Sequence, residues 1–333
     1  MRRGFIIMLI VCFAGLLLMP AHVLAQAYLS SQLDTVTIGG RNHVNLATAA
    51  RIYHLKTRSL NKGKTLEIGN ATAQFTLTAE SIRAQVNGID LWLSRPVVVS
   101  GSRLYVSELD WRATLQPLLF PSSAASAQKI KTIVLDPGHG GKDTGNRVGG
   151  EDEKKHTLLL AQEVRSQLQQ KGFNVKLTRT SDKYVDLDTR PALARRSKAD
   201  LFVSLHYNAT ASGRSEVRGT EVYCLTPAGA TSTNARGKGD TTAETGNRCN
   251  PQNVLLAYHV QKNLLTELAS SDRGIRRARF AVLCNATMPA ILVEAGFMSH
   301  PVEGRKIFDA SYRKRIARAI VDGILAYRKA IGG

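Results

Sequence analysis

Three histidine and glutamate residues of this sequence each follow a short apolar segment. His139, His206 and Glu294 come directly after, or within a few residues of, runs rich in Ile, Val and Leu. Such runs, bounded by Gly or Pro, are typical of buried strands. An unpaired polar group costs free energy in a dry interior. Polar residues at the ends of three buried strands therefore indicate a shared chemical purpose, with the three side chains meeting at one edge of a sheet.

A fourth residue, Glu153, opens the helix that is predicted after the His139 loop. Two His and one Glu are the ligand set of many catalytic zinc sites, which leave one position for water. A second Glu nearby is then the general base. The sequence thus predicts a zinc site with His139 and His206 as ligands, in which Glu153 and Glu294 supply the third ligand and the general base. Glu151 also lies near the helix start and remains an alternative ligand to Glu153.

Alternating strands and helices are predicted from residue 131 onwards, which indicates an α/β sheet with helices on both faces. The long segment 226–250 is rich in Thr, Gly, Ala and Asn. Because it follows the strand after His206, we expect it to line a substrate cleft. The predicted strands are 131–136, 173–178, 201–206, 220–225, 281–284 and 290–294, and the predicted helices are 153–171, 187–198, 252–268 and 312–328.

Residues 28–121 have a different pattern, with apolar residues at alternate positions and an Asn87-Gly88 hairpin signal. This pattern predicts a small α+β or mostly β accessory domain. The uncharged stretch 122–130 is typical of a linker. The catalytic domain is therefore expected to span 131–330.

The first 25 residues combine Arg2 and Arg3, an apolar run and a Val-Leu-Ala site, which predicts a secretory signal peptide cleaved after Ala25, or after Ala27 as second choice. An uncleaved anchor is the competing interpretation. The formal charge of the chain is +19, or +17 once Arg2 and Arg3 are removed. A strongly basic exported protein is attracted to acidic surfaces. No common nucleic-acid-binding motif is present, so anionic polymers of a cell envelope are the expected surroundings, with no membrane span after signal cleavage.

Three cysteines follow the signal region, at Cys224, Cys249 and Cys284. An odd number allows at most one internal disulfide. A Cys224–Cys249 pair is one option, and the sequence leaves it open. Cys284 is equally well explained as a small buried apolar residue.

Four motifs, taken in order, carry a clear family resemblance. Asp-Pro-Gly-His-Gly-Gly (136–141), Glu-Lys (153–154), Ser-Leu-His-Tyr-Asn-Ala (204–209) and Val-Glu-Ala-Gly-Phe-Met-Ser (293–299) resemble the zinc-dependent N-acetylmuramoyl-L-alanine amidases of the AmiC type. The similarity covers most of 131–330. The amino-terminal segment resembles, in outline, accessory domains of the copper-amine-oxidase type that occur in some wall enzymes, and its expected role is positioning or wall binding.

The resemblance implies His139, Glu153 and His206 as zinc ligands, Glu294 as the catalytic glutamate and a mixed six-stranded sheet flanked by helices. The implied substrate is peptidoglycan, cut between N-acetylmuramic acid and L-alanine. Asn208 and Arg190 are candidates for substrate contact. Residues 226–250 are too short and too polar for the inserted helix that blocks zinc in some division amidases, so we expect none. The expected location is the periplasm or cell envelope of a bacterium. Two alternatives are a zinc peptidase acting within the stem peptide and a catalytically inactive wall-binding protein.

Overall fold

The computed structural model describes residue 33 and residues 35–121, 129–235 and 239–332. The predicted signal peptide and the 122–128 part of the predicted linker lie outside these residues. Seventeen strands occur in the described ranges. In chain order they are β1 (Thr35–Ile38), β2 (Arg41–Asn45), β3 (Lys56–Leu60), β4 (Thr65–Gly69), β5 (Gln74–Thr78), β6 (Arg83–Val86), β7 (Ile89–Trp92), β8 (Val98–Ser100), β9 (Arg103–Ser107), β10 (Thr132–Pro137), β11 (Arg147–Val148), β12 (Glu151–Asp152), β13 (Asn174–Leu177), β14 (Leu201–Asn208), β15 (Thr220–Leu225), β16 (Asp272–Ala278) and β17 (Ala290–Phe297).

Helices alternate with the strands of the carboxyl-terminal region, as the sequence predicts. Near residue 110 three short helical segments follow one another without a break. The helices are Leu46–Ile52, the consecutive segments Glu108–Asp110, Trp111–Leu115 and Gln116–Leu119, and then Glu153–Gln170, Thr189–Arg196, Asn250–Leu268, Ala281–Cys284, Pro301–Phe308 and Ala310–Ala330; short 3₁₀ turns occupy Asn61–Gly63, Thr233–Ala235 and Thr245–Cys249.

The carboxyl-terminal region contributes six neighbouring strands in the order β13-β10-β14-β17-β15-β16. The first four are parallel, β15 runs antiparallel to β17, and β16 is parallel to β15. Helices Glu153–Gln170, Asn250–Leu268 and Ala310–Ala330 cover one face, while Thr189–Arg196 and Ala281–Cys284 cover the other. This confirms the predicted mixed, largely parallel six-stranded sheet with helices on both faces.

The sixth strand is not the one that the sequence pattern predicts. Residues Ala281–Cys284 form a single helical turn, and the strand is instead Asp272–Ala278. The sequence of β16 contains three arginines and one aspartate, so it has no apolar run. Its Arg273 and Arg276 side chains pair with the buried Glu221 of β15. Ion pairing across strands therefore replaces the apolar signal on which the prediction depended.

The accessory region is continuous with the catalytic sheet. Strand β7 pairs with β16 in parallel, with Leu91 opposite Ile275, and the sheet continues through β6, β5, β4 and β3 to eleven strands. Across this junction the Asp90 N–H donates to Asp272 Oδ2 at 2.7 Å, and Asn87 Nδ2 donates to the Tyr258 hydroxyl at 2.7 Å. The predicted Asn-Gly hairpin joins β6 to β7. A second sheet, β1-β2-β9-β8, completes the accessory region.

The 226–250 loop lies at the opposite edge of the sheet from the one that we expected. Because β15 runs antiparallel to β17, its last residue, Leu225, lies near the start of β17 rather than near Glu294. The loop contacts the accessory region there, where Arg95 Nη2 donates to the Gly229 carbonyl. The prediction that this loop lines the substrate cleft is therefore wrong. Its described residues contain only 3₁₀ turns and the first residue of the helix Asn250–Leu268.

Candidate active site

The predicted site residues converge at the carboxyl edge of three adjacent parallel strands. His139 follows β10, His206 lies in β14 and Glu294 lies in β17, and these strands are neighbours in the sheet. His206 and Glu294 occupy paired positions in the parallel ladder. Glu153 is the first residue of the helix Glu153–Gln170. The carboxyl edge of an open α/β sheet is where such folds bind ligands.

The His139 loop is held in an unusual backbone conformation by two buried arginines. His139 has φ of +63°, a left-handed value that costs energy for any residue except Gly. Arg190 Nη2 donates to the His139 carbonyl at 3.0 Å, and Arg190 Nη1 pairs with Asp136 at 2.8 Å. Arg179 donates to the carbonyls of Pro137 and Gly138. These bonds fix the loop and aim the imidazole.

Arg190 therefore has a different position from the one that we expected. Its side chain is 2% exposed and its donors bind Asp136 and backbone carbonyls. A guanidinium buried and occupied in this way supports the loop and does not reach a substrate. The candidate role in substrate contact is replaced by a role in positioning His139.

Glu153 lies between the two histidines and is itself buried, with 2% of its side chain exposed. His139 Nε2 lies 3.1 Å from Glu153 Oε2, and His206 Nδ1 lies 3.0 Å from Oε1. Burial alone would raise the pKa of the Glu153 carboxyl, but the hydrogen bonds and charges of the two imidazoles outweigh it and hold the pKa well below its usual range. The carboxylate is therefore ionised at all physiological pH values.

The three side chains fit a zinc ion. One ligand atom from each of His139, Glu153 and His206 lies within 4.8 Å of the others. Two imidazoles and one carboxylate form a donor set that catalytic zinc sites use. Glu151 instead pairs with Lys155 and His156. Of the two candidate glutamates, Glu153 is the one that lies between the histidines.

Two supporting residues were not predicted. Asp143 Oδ2 lies 2.9 Å from His139 Nδ1, so it fixes the orientation of the ring and the nitrogen that faces Glu153. Asn146 donates to Glu153 Oε2 from its backbone N–H and from Nδ2. The signal for Asp143 was present in the sequence, since metal-binding histidines usually have a carboxylate partner and Asp143 lies four residues beyond His139.

Glu294 lies beside this group in an environment that disfavours its ionised form. Its Oε2 atom is shielded from solvent and has no hydrogen-bond partner among the described residues. Burial, together with the negative charges of Glu153 and Glu221, raises the pKa of the Glu294 carboxyl well above its ordinary value. A carboxyl group with a raised pKa next to a metal-ligand cluster is suited to accept and return a proton near neutral pH.

Asn208, a candidate for substrate contact, lies two residues beyond His206 at the end of β14. Its Nδ2 donates to Glu221 Oε1 at 2.9 Å. Glu221 occupies the position opposite Glu294 in the antiparallel pair β15–β17. Asn208 is therefore in the site region, and its contact with a substrate stays a prediction.

The three cysteines among the described residues, Cys224, Cys249 and Cys284, are all free. The structure thus contains no Cys224–Cys249 disulfide in its described part. The prediction that Cys284 is a small buried residue agrees with its burial in an apolar cluster that includes Val282 and Leu283.

Zinc affinity is expected to fall as the pH decreases, beginning above pH 6.5. Burial lowers the pKa of His139, but the hydrogen bonds and charges of Glu153 and Asp143 outweigh burial and raise it above 6.5. Zinc binds the neutral imidazole, so a proton that is retained to higher pH competes with the metal. For each proton that zinc displaces from a ligand, the apparent zinc affinity falls about tenfold when the pH decreases by one unit. Competition with a chromophoric chelator from about pH 8.5 to about pH 6 measures this dependence.

An Asp143→Asn variant provides the comparison for that titration. Removing the Asp143 charge removes one cause of the raised His139 pKa. The fall in affinity should therefore begin at a lower pH than in the wild type. A zinc affinity that does not change over this pH range would contradict the assignment of His139 as a ligand.

Comparison with known proteins places this site in a known context. A family model described as N-acetylmuramoyl-L-alanine amidase matches residues 133–326. The chain is 30% identical over 267 residues to the amidase AmiA of Escherichia coli, covering 70% of this chain and 91% of that protein. It is 36% identical over 219 residues to AmiC of Neisseria meningitidis, covering 59% of this chain and 52% of that protein.

Solved structures with the same kind of description share the fold. An N-acetylmuramoyl-L-alanine amidase from Clostridium difficile is 33% identical, with a TM-score of 0.51, and the match covers 62% of this chain and 100% of that one. AmiC2 of Nostoc punctiforme is also 33% identical, with a TM-score of 0.51, and the match covers 60% of this chain and 97% of that one.

Proposed function

The chain belongs to the N-acetylmuramoyl-L-alanine amidase family, and from this premise we propose that His139, Glu153 and His206 hold its zinc ion and that Glu294 is its catalytic residue. The family acts on peptidoglycan and hydrolyses the amide bond between N-acetylmuramic acid and L-alanine. The observation that carries the proposal is the cluster itself. Two imidazoles surround one buried carboxylate, and a second carboxyl with a raised pKa lies on the next strand.

In the proposed mechanism the protein's own residues orient the metal ligands and transfer one proton. When bound, zinc supplies Lewis acidity, which acidifies water and polarises an amide carbonyl. Asp143 and Glu153 keep the two imidazoles in the orientation that binding needs. Glu294 takes a proton from the attacking water and returns it to the nitrogen of the leaving L-alanine, first as base and then as acid. Its raised pKa suits the second step, which needs a protonated carboxyl.

The surroundings of the reaction follow from charge and from the family. A cell-wall amidase acts on the cell envelope, and the formal charge of +19 favours binding to its anionic polymers. Export through a signal peptide to the periplasm is also part of the proposal, and it rests on the sequence pattern of residues 1–25. Residues 1–32 lie outside the described ranges. None of the helices in the described part of the chain combines the length and the apolar character needed to cross a bilayer.

The accessory region supports the catalytic region, in our proposal, by completing its sheet. Trp92 of β7 donates from Nε1 to the Arg273 carbonyl and lies 4.8 Å below the Arg276 guanidinium. Arg277 of β16 reaches back and donates to Thr114 Oγ1 at 2.8 Å. These contacts fix β16, whose neighbour β15 carries Glu221. A role in wall binding remains compatible with this structural role.

Digestion of purified peptidoglycan tests the proposed function. Residues 26–333 are incubated with the polymer after treatment with a chelator, with and without added zinc, and the products are identified by mass spectrometry. We expect free peptides that begin with L-alanine, together with peptide-free glycan, only when zinc is present. Shortened peptides that remain on the glycan would instead identify a zinc peptidase. Binding to peptidoglycan and zinc without any product would identify an inactive wall-binding protein.

A further inference from the structure

Arg273 lies at the catalytic edge of the sheet, two strands away from Glu294. Strand β15 is antiparallel to β17 and parallel to β16, so the amino ends of β15 and β16 meet the carboxyl end of β17. Thr220 is paired with Asp272, the residue before Arg273. The Arg273 guanidinium also lies 4.7 Å above the ring of Phe297, at the end of β17. Arg273 is thus beside the proposed reaction site.

The guanidinium of Arg273 forms a hydrogen bond through its Nε atom only, among the described residues. Its Nε donates to Glu221 Oε2 at 3.0 Å. Its two terminal nitrogens, Nη1 and Nη2, have no hydrogen-bond partner among the residues that the structure describes. The side chain is 29% exposed, while that of Glu221 is 2% exposed. Arg273 therefore presents the N–H groups of its two terminal nitrogens to solvent from a fixed position.

Glu221 has no remaining capacity to engage those donors. Its Oε1 accepts from Asn208 Nδ2 at 2.9 Å and from the Tyr223 hydroxyl at 3.0 Å. Its Oε2 accepts from Arg273 Nε and forms an ion pair with the Arg276 guanidinium at 2.9 Å. Arg276 differs from Arg273 because it is only 12% exposed and stacks on Trp92. One of the two arginines thus stabilises the sheet, and the other is partly exposed beside the proposed reaction site.

We propose that Arg273 binds a carboxylate of the substrate's peptide and so determines which stem peptides are cleaved; this inference rests on the proposed function. A guanidinium matches a carboxylate through two parallel hydrogen bonds. The sugar side of the scissile bond carries hydroxyl and acetamide groups, whereas the peptide side carries carboxylates. The carboxylate is that of the acidic residue after L-alanine or that of the peptide's carboxyl terminus. Stacking on Phe297 and the bond to Glu221 position the guanidinium before the substrate arrives, which reduces the entropy that binding costs.

Soluble substrates that differ in these two carboxylates test the proposal. The set is an N-acetylmuramoyl-L-alanyl-D-glutamyl peptide in which the α-carboxylate of the D-glutamate and the terminal carboxylate are each either free or amidated. Kinetic constants are measured for the zinc-loaded wild type and for Arg273→Gln. We expect the wild type to prefer one free carboxylate by about tenfold to a hundredfold in kcat/KM, the size of a hydrogen bond to a charged group. The substrate that carries this preference identifies which carboxylate is bound.

The Arg273→Gln variant should lose that preference. We expect its KM for the preferred acidic substrate to rise while its kcat changes little, because binding to the charge is present in both ground and transition states. The loss of kcat/KM should be much smaller on the fully amidated substrate than on the preferred acidic one. Arg273→Lys keeps the charge but not the paired donors, so part of the preference should remain. Arg58→Gln, which changes an exposed arginine of β3, is the matched control and should have no effect.

Two results would overturn the inference. A wild type that hydrolyses all members of the set equally well has no carboxylate preference to explain. An Arg273→Gln enzyme that is slowed equally on every substrate shows that Arg273 acts only by neutralising Glu221. In both cases the amidase activity itself is intact. If the wild type cleaves neither the soluble substrates nor peptidoglycan, the proposed function itself is wrong.

Discussion

A Glu294→Gln protein will bind zinc and fold more stably than the wild type, yet hydrolyse almost no substrate. Glutamine cannot accept a proton, and positioned acid–base catalysis contributes about 10²–10⁴-fold to rate. The zinc-ligand cluster consists of His139, Glu153 and His206, so zinc content should not change. Turnover of peptidoglycan and metal content, measured on the same preparation, check both statements.

The gain in stability follows from the direction of the Glu294 pKa shift. Burial, Glu153 and Glu221 raise this pKa in the folded state above the ordinary value of 4.5. Below about 4.5 the carboxyl is protonated in both the folded and the unfolded state, so it costs nothing. As the pH rises, the unfolded state ionises first, and the wild type loses stability that the glutamine variant keeps. Urea unfolding of chelator-treated protein at several pH values should therefore show a difference that grows above about pH 4.5.

The matched control for this variant is Glu80→Gln. Glu80 is exposed between β5 and β6, in the accessory region and away from the catalytic edge, so neither turnover nor stability should change. A Glu294→Gln enzyme with near-normal turnover would refute the catalytic assignment. A variant that loses its zinc would place Glu294 among the ligands instead.

A single methyl group added at Gly138 is expected to displace the His206 ligand and so weaken zinc binding. A Cβ atom on Gly138 would lie 2.2 Å from His206 Cε1 and 2.5 Å from its Nε2, far inside van der Waals contact. The backbone cannot move away easily. The Gly138 N–H donates to the Leu205 carbonyl, and the Gly138 carbonyl accepts from Arg179 and Thr157. The His206 imidazole must therefore rotate away from Glu153.

We expect Gly138→Ala to weaken zinc binding by at least about 10–100-fold, the loss that follows when a ligand's orientation is disturbed. Activity should fall in parallel. Chelator competition measures the first effect and peptidoglycan digestion measures the second. Gly149→Ala is the control, because Gly149 has φ of +60° but no atom within 4 Å of its Cβ position. That change should cost about 1–2 kcal/mol of stability and leave zinc binding intact. A Gly138→Ala protein with wild-type zinc affinity would show that His206 is placed elsewhere.

The sequence predicts the reactive residues of this protein better than it predicts their supports. Strand ends are marked by apolar runs followed by Gly or Pro, so the positions of His139, His206 and Glu294 at one sheet edge could be inferred. Glu153 was recognised from its place at a helix start. In contrast, Glu221 and Arg273 belong to strands whose direction and order in the sheet cannot be predicted from the local sequence pattern. Their proximity depends on β15 running antiparallel to β17, which only long-range pairing decides.

The two errors in the fold have the same origin. No apolar pattern marks strand β16, because its residues are charged and are stabilised by Glu221 on the next strand. The sequence pattern predicts the wrong edge for the 226–250 loop, because the reversal of β15 leaves no periodic signal. The burial of Arg190 beneath the His139 loop was equally invisible, since an arginine inside a protein is uncommon without a paired acid. Its partner, Asp136, lies 54 residues earlier in the chain.

The pairing of β7 with β16 fixes the distance between the accessory strands and the catalytic edge of the sheet. A binding module on a flexible tether samples many positions, and the bond that its enzyme cuts can lie anywhere within reach of the tether. Strands that share one sheet do not move in this way. Any polymer that the accessory strands contact is therefore held at a constant spacing and angle from Glu294. An accessory region that bound the wall would therefore set the distance between its contact point and the cleaved bond, which a tethered module could not do.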